Sequence, residues 1–327
     1  MGEWGFLDKI LPQLKRTDKK RFIVPPGDDA AVMATPARAV LSIDGLSDHT
    51  HFKSTWEKTL KKRAGFSLGR GLGWKLIGSS LSDLAAMGDV TERWTLVFLA
   101  APAQMSTQFL SEFYAGVREA VGRFDCALVG GDTIRSQTLT LSAAVGGTLR
   151  SKRALTRAGA SAGDFICVAG EVGDAERGLQ VQLGKIKNIP NSAEQYFIRR
   201  FFDSTPLFSQ GKILAQDKDV TSLLDLSDSL QESINILLRP QMLGCDINLN
   251  AVPVSPDYRK LFGALPSLLS GGEDYGLLFT AKNKAVQRLS KKMKFSVIGQ
   301  VLSSKAGRTY FLNGRGIEAP PPFRHFN

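Results

Sequence analysis

The sequence predicts an α+β protein of two domains. Short β-like runs and helical runs mix along the chain without the steady strand–helix rhythm of a doubly wound sheet. A polar connector, SKRALTRAGASAGD, follows Arg150 and separates two strand-rich halves. The 327 residues are enough for two ordinary cores. The boundary placed there gives an N-terminal domain of residues 1–149 and a C-terminal domain of residues 150–327.

Residues 39–43 (AVLSI) read as a strand that runs into Asp44. Residues 94–103 form the longest apolar stretch, far too short to cross a bilayer. Residues 126–129 make a strand entering Gly130-Gly131-Asp132, and residues 139–145, ending at Gly146-Gly147, read as its hairpin partner. In the second half, residues 165–168 (FICV) are strand-like up to Gly170, and residues 174–183 have helical spacing. Residues 223–226 lead into Ser227-Asp228. Residues 230–238 (LQESINILL) then predict a helix that Pro240 stops. Residues 276–280 and 295–301 are the late strands.

The net charge of +11 concentrates in residues 58–70 and 291–294. Neither zinc-finger spacing nor an aromatic RNA-binding signature accompanies it, so a nucleic-acid partner is not expected. A solvated face, or attraction toward a phosphate-rich small ligand, accounts for the balance. The three cysteines, Cys126, Cys167 and Cys245, are far apart, odd in number and without metal-ligand spacing. They read as small buried hydrophobes. Glu3 and Asp8 interrupt what a secretory signal would need, so the expectation is a cytoplasmic protein without a membrane partner.

The informative feature is where the carboxylates sit. Gly27-Asp28-Asp29-Ala30, Ile43-Asp44-Gly45, Ser82-Asp83-Leu84, Gly131-Asp132-Thr133, Asp225-Leu226-Ser227-Asp228 and Gly272-Glu273-Asp274 all place acids beside apolar segments. An acid at the end of a buried strand loses hydration and needs a counter-charge. Few nearby arginines or lysines offer one. Mg²⁺ would supply it, since it takes hard oxygen ligands and bridges carboxylates to phosphates. Singly, each motif is equally a turn or a helix cap; their number favours a metal. The pairs Gly130-Gly131 and Gly271-Gly272 let backbone approach a ligand and aim N–H groups at phosphate oxygens. No G-x-x-x-x-G-K-[ST] loop is present, and the glycine-rich residues 69–73 are not followed by a protein-kinase catalytic loop or D-F-G. Phosphoryl transfer here would need an aspartate–metal scheme.

With these motifs in family order, the chain resembles thiamine-monophosphate kinase, within the aminoimidazole ribonucleotide synthetase-like superfamily. The resemblance rests on Gly27-Asp28-Asp29-Ala30-Ala31, Asp44 with His51-Phe52, Ser82-Asp83-Leu84-Ala85-Ala86-Met87-Gly88, Gly130-Gly131-Asp132-Thr133, Arg153 to Arg157, Asp225-Leu226-Ser227-Asp228 and Gly271-Gly272-Glu273-Asp274-Tyr275. It implies a two-domain fold of mixed sheets with flanking helices. The N-terminal domain would carry the homodimer interface and most of the nucleotide site, and the C-terminal domain would close over it. The implied reaction joins ATP and thiamine monophosphate to give ADP and thiamine diphosphate. By motif position, Asp29, Ser42, Asp44, Asp83, Asp132, Asp225 and Asp228 would hold several Mg²⁺ ions. Gly131, Asp132, Arg157 and Ser227 would touch ATP, and His51 and Glu273 would face the thiamine phosphate. No general base is nominated, because a phosphate monoester is already nucleophilic.

Four departures stand out. Ser229 replaces the usual glycine after Asp228 and could crowd the loop, Ile43 replaces the usual threonine, residues 61–70 look inserted, and Phe323 is the loose candidate to stack on thiamine. A selenophosphate synthetase would want an early cysteine and a hydrogenase maturation factor a terminal one; neither is here. Aminoimidazole ribonucleotide synthetase matches residues 82–88 and 271–275 less well. Outside catalysis, the alternative is a silent nucleotide-binding module.

Overall fold

The computed structural model describes residues 22–24, 30–33 and 38–320. Alternating apolar residues build a first sheet from β1 (Phe22–Val24), β2 (Ala31–Met33), β3 (Ala39–Ser47), β4 (Val90–Ala101), β5 (Cys126–Arg135) and β6 (Thr140–Leu149), in the order β1-β2-β3-β6-β4-β5. Two helices cover one face. α2 (Leu68–Ala86) follows the short α1 (Glu57–Ala64), and α3 (Thr107–Arg123) crosses it closely.

The glycine-rich residues 69–73 are therefore helical, and their glycines serve packing. A Cβ on Gly73 would fall 2.1 Å from the Phe113 carbonyl oxygen, and one on Gly116 would fall 2.0 Å from that of Arg70. Only missing side chains let two helix backbones approach so near. The segment that reads as inserted forms α1 and the start of α2. Trp56, just before α1, packs edge-on against Phe201 at 5.9 Å.

The expected hairpin between residues 126–129 and 139–145 is not formed. Among the described residues β5 pairs only with β4, in parallel, because α3 carries the chain back to β4's outer edge. β6 then takes the place between β3 and β4, antiparallel to both.

The second sheet runs β13-β12-β9-β11-β7-β10-β8. Its strands are β7 (Phe165–Ala169), β8 (Val220–Asp225), β9 (Gly244–Asn248), β10 (Leu277–Ala281), β11 (Ser296–Leu302), β12 (Arg308–Leu312) and β13 (Arg315–Ile317). α4 (Asp174–Gln182), α5 (Asn191–Phe202), α6 (Phe208–Ala215), α7 (Leu230–Leu238), α8 (Pro256–Phe262) and α9 (Asn283–Leu289) lie among them. α7 spans the residues its spacing predicts. Its cap is Ser229, whose hydroxyl accepts the Glu232 N–H at 3.2 Å. Ser229 is thus the helix cap.

The first sheet, α2 and α3 share one core with Ile198, Phe201 and Phe202 of α5, all nearly inaccessible. Cys167 and Cys245 are buried as expected and Cys126 is half-buried; all three are free thiols. No helix among the described residues is long and apolar enough to cross a membrane.

Candidate active site

Antiparallel pairing of β8 with β10 sets Asp225 opposite Leu277, so the loop leaving β8 and the loop entering β10 share one edge of the second sheet. Backbone bonds lace these loops together. The Glu273 N–H donates to the Ser227 carbonyl at 2.8 Å, the Tyr275 N–H to that of Leu226 at 2.9 Å, and the Leu226 N–H to that of Gly276 at 2.8 Å. A Cβ on Gly272 would come within 3.0 Å of the Ser227 carbonyl oxygen, so this glycine is required by the approach of the two loops. Glu273 and Tyr275 hold left-handed backbone, with φ of 65° and 51°. That conformation costs an ordinary residue roughly 1–3 kcal/mol and tends to collect at functional loops.

α2 supplies the third wall. Ser42, on the helix-facing side of β3, donates its hydroxyl to Asp83 at 2.5 Å. Asp44 lies two residues on, hence on the same side, and accepts the Gly45 N–H at 2.7 Å. Tyr275 marks where these acids meet. Its phenol is raised well above its usual range, first by burial and then by the negative charges of Glu273, Asp44, Asp225 and Asp83. The charges of four carboxylates from four separate stretches therefore bear on one buried phenol.

Asp225 belongs to the same charged region. It is 2% accessible, and neither carboxylate oxygen has a hydrogen-bond partner. Burial pushes its pKa up to about 6; the Ser82 hydroxyl and Arg157 oppose the shift, while Asp44 and Asp228 add to it. The Ser82 hydroxyl is near enough to act on Asp225 but makes no bond of good geometry, being itself without a partner. Ser227 and Asp228 are exposed at the mouth of the loop.

Other candidates lie apart. β5 is an edge strand, and the register puts Gly131 level with Val97 and Asp44, and Asp132 level with Phe98 and Gly45. Side chains alternate along a strand, so Asp132 leaves on the sheet face opposite Asp44. It is exposed and accepts the Thr133 N–H at 2.8 Å. A Cβ on Gly131 would strike the Val97 carbonyl oxygen at 2.0 Å, so this glycine answers a packing need as well. His51 sits in the turn after β3, where its Nδ1 accepts the Ser47 N–H at 3.1 Å; the neutral ring then carries its proton on Nε2. Asp274 turns away from Glu273 and caps α4, accepting N–H groups of Gly173 at 2.7 Å and Ala175 at 3.2 Å. Burial pushes it up to about 7. Arg153 is bonded to the carbonyls of Asp217 and Val220. Asp29 and Phe323 lie outside the described residues.

Among the described residues, no three His, Cys, Asp or Glu side chains stand close enough together to hold a metal ion as they are. The donor chemistry nevertheless suits Mg²⁺. The oxygens are hard, and Asp225 presents two buried oxygens without a hydrogen-bond partner. A cleft of about 610 Å³ between α1 and α5, lined by Lys58, Lys62, Arg63 and Glu194 among others, contains none of the candidate residues.

Sequence reasoning missed Lys75. It is wholly buried on α2, with its ammonium 3.2 Å from Glu273 Oε1 and 2.5 Å from the Phe201 carbonyl oxygen. Burial lowers its pKa, and Glu273, Asp44 and Asp274 oppose that shift. The available signal was a lone charge inside a run of glycine and apolar residues.

Comparison with known proteins identifies the family. The family model for the N-terminal domain of AIR synthase related proteins matches residues 27–149. A thiamine-monophosphate kinase of Buchnera aphidicola subsp. Acyrthosiphon pisum is 31% identical, over 97% of this chain and 98% of its own length. The thiamine-monophosphate kinase of Escherichia coli K12 is 30% identical, over 97% and 95%. The solved structure of AaThiL complexed with AMPPCP and TMP superposes with a TM-score of 0.81 at 27% identity, covering 99% of this chain and 97% of that one. With relatives at this identity matched from end to end, the chain belongs to the thiamine-monophosphate kinase family.

Proposed function

We propose that this protein transfers the γ-phosphoryl group of ATP to the phosphate of thiamine monophosphate, giving ADP and thiamine diphosphate. An oxygen of the monoester bonds to the γ-phosphorus as the bond to the ADP oxygen breaks, and no protein base is needed. The observation that carries this reading is Asp225. A carboxylate buried without a hydrogen-bond partner, within electrostatic reach of Asp44 and Asp228, is the kind of group that a bound cation stabilises.

Asp44, Asp83, Asp225 and Asp228, with Ser42, are the residues that would hold Mg²⁺. Asp29 and Asp132 are assigned to Mg²⁺ by motif alone, Asp132 from the sheet face opposite Asp44. When bound, Mg²⁺ neutralises phosphate charge and aligns the phosphates for displacement. Arg157, within electrostatic reach of Asp225, is suited to the ATP phosphates, together with Gly131 and Ser227. His51 and Glu273 face the substrate, thiamine monophosphate, in this assignment. The division at residue 150 follows the two sheets, the first ending at Leu149 and the second beginning at Phe165.

A homodimer belongs to the same proposal. Ile43 (70% accessible), Leu96 (41%), Leu128 (43%), Val129 (58%) and Ile134 (46%) expose apolar surface on β3, β4 and β5. Such a patch on one sheet marks a protein contact. We place the enzyme in the cytoplasm, with its nucleotide.

Incubation of the purified protein with Mg²⁺, ATP and thiamine monophosphate should yield equal amounts of ADP and thiamine diphosphate, and excess chelator should stop the reaction. Intact ATP binding without thiamine diphosphate would sink the proposal.

A further inference from the structure

The Lys75–Glu273 pair joins two segments far apart in sequence: α2, and the loop entering β10. We propose that Lys75 is a positioning residue that fixes the Glu273 carboxylate for recognition of the thiamine base, acting on substrate selection and not on the phosphoryl transfer itself. This rests on the reading above, in which Glu273 faces the substrate.

Three observations carry it. First, Lys75 occupies a core position of α2, between Leu72 and Leu76, where all three are fully buried. An apolar residue there would normally stabilise the fold more than a buried charge does, so the ammonium has another use. Second, the ammonium is held from several sides. The Phe201 carbonyl accepts from it at 2.5 Å and the Phe201 ring lies 4.0 Å away, so it is a fixed point and not a swinging arm. Third, Glu273 needs such a point. Its backbone is left-handed, its side chain is 24% accessible, and Asp44, Asp83 and Asp225 crowd the same buried tyrosine. Without a cation beside it, this carboxylate would be repelled toward solvent or drawn onto the metal meant for the aspartates.

The geometry also sets the ligand chemistry. Lys75 engages Oε1, so Oε2 is the oxygen offered to substrate. A carboxylate oxygen suits the amino group or the ring cation of thiamine and disfavours its phosphate. The Lys75–Glu273 end of the site is therefore the base end, and the aspartates and Arg157 form the phosphate end.

The test is steady-state kinetics on wild type, K75M, E273Q and the double variant, with ATP and thiamine monophosphate varied separately. K75M should raise KM for thiamine monophosphate by roughly tenfold or more, with kcat within about threefold and KM for ATP within about twofold. E273Q should do the same, and K75M/E273Q should exceed the worse single variant by no more than about twofold, since both act through one contact. An unchanged KM in K75M, equal rises for both substrates, or effects that multiply in the double variant would overturn the inference. If K75M loses its cooperative melt, K75Q takes its place, because its amide can still donate to the Phe201 carbonyl. Wild-type protein that binds ATP but makes no thiamine diphosphate would instead overturn the kinase reading, and this inference with it.

Discussion

Replacing Asp225 by asparagine should shift the stability of the metal-free protein in the variant's favour as pH rises, while removing its activity. Burial raises the Asp225 pKa from 3.8 to about 6. A raised carboxylate contributes stability that is fully present below its unfolded pKa and lost as pH rises through the folded value. Above pH 7 the charged form therefore costs about 3 kcal/mol, from the two-unit gap at 1.36 kcal/mol per unit. Asparagine keeps the shape and removes the charge, but its amide also lacks partners in that spot, which costs roughly 1–3 kcal/mol at every pH. The absolute difference between variant and wild type is thus small. Its change with pH is not: between pH 4.5 and pH 8 it should move by about 2 kcal/mol in the variant's favour, or roughly 4 °C for a chain of this size. Thermal melts in EDTA at the two pH values measure this shift, and turnover assays with Mg²⁺ at pH 8 should show a loss of more than about a hundredfold. A variant that gains nothing between pH 4.5 and pH 8, or that turns over within about tenfold of wild type, would refute the claim that Asp225 is a strained acid kept for its ligand.

Asp44→Asn should lower turnover by more than about a hundredfold, about 2.7 kcal/mol of barrier; near-normal turnover would remove Asp44 from the metal set. Gly116→Ala places a methyl group 2.0 Å from the Arg70 carbonyl oxygen, between two helix backbones that cannot both yield. It should cost about 2 kcal/mol or more in urea unfolding, and a loss below about 0.5 kcal/mol would mean the crossing is looser than described. Val129→Lys, at a 58% accessible site on the edge strand, should convert a dimer to a monomer in sedimentation. A dimer that persists, or a monomeric wild type, would rule out this face as the contact.

Local rules served the sequence reading well where local chemistry decides. α7 matched because its apolar spacing, its serine cap and Pro240 act within a few residues of each other. The edges of β7, β8, β10 and β11 lay within a few residues of expectation for the same reason. α2 was unreadable as a helix because Gly69, Gly71 and Gly73 weaken helix propensity, and what makes them favourable is a neighbouring helix that the local sequence does not announce. The β5–β6 hairpin failed similarly. Adjacency in sequence suggested pairing, but the crossover through α3 committed β5 to the far side of β4. At the site, the carboxylate motifs named Asp44, Asp83, Asp225 and Glu273, whose charges all bear on Tyr275. They did not reveal that Asp274 caps a helix, that Asp132 leaves on the opposite face, or that a buried lysine stands behind Glu273.

The aromatic end of α5 bears on how substrates get in. Phe201 and Phe202 come from the C-terminal half, yet they are plugged into the core under the first sheet. Swinging the halves apart like a book would draw both rings into water, at roughly 3–6 kcal/mol for the pair. A rigid hinge is therefore a poor door for this enzyme. Traffic of nucleotide and thiamine monophosphate is better served by small shifts of the laced loops at residues 226–229 and 270–276, with the two halves staying bolted together through each turnover.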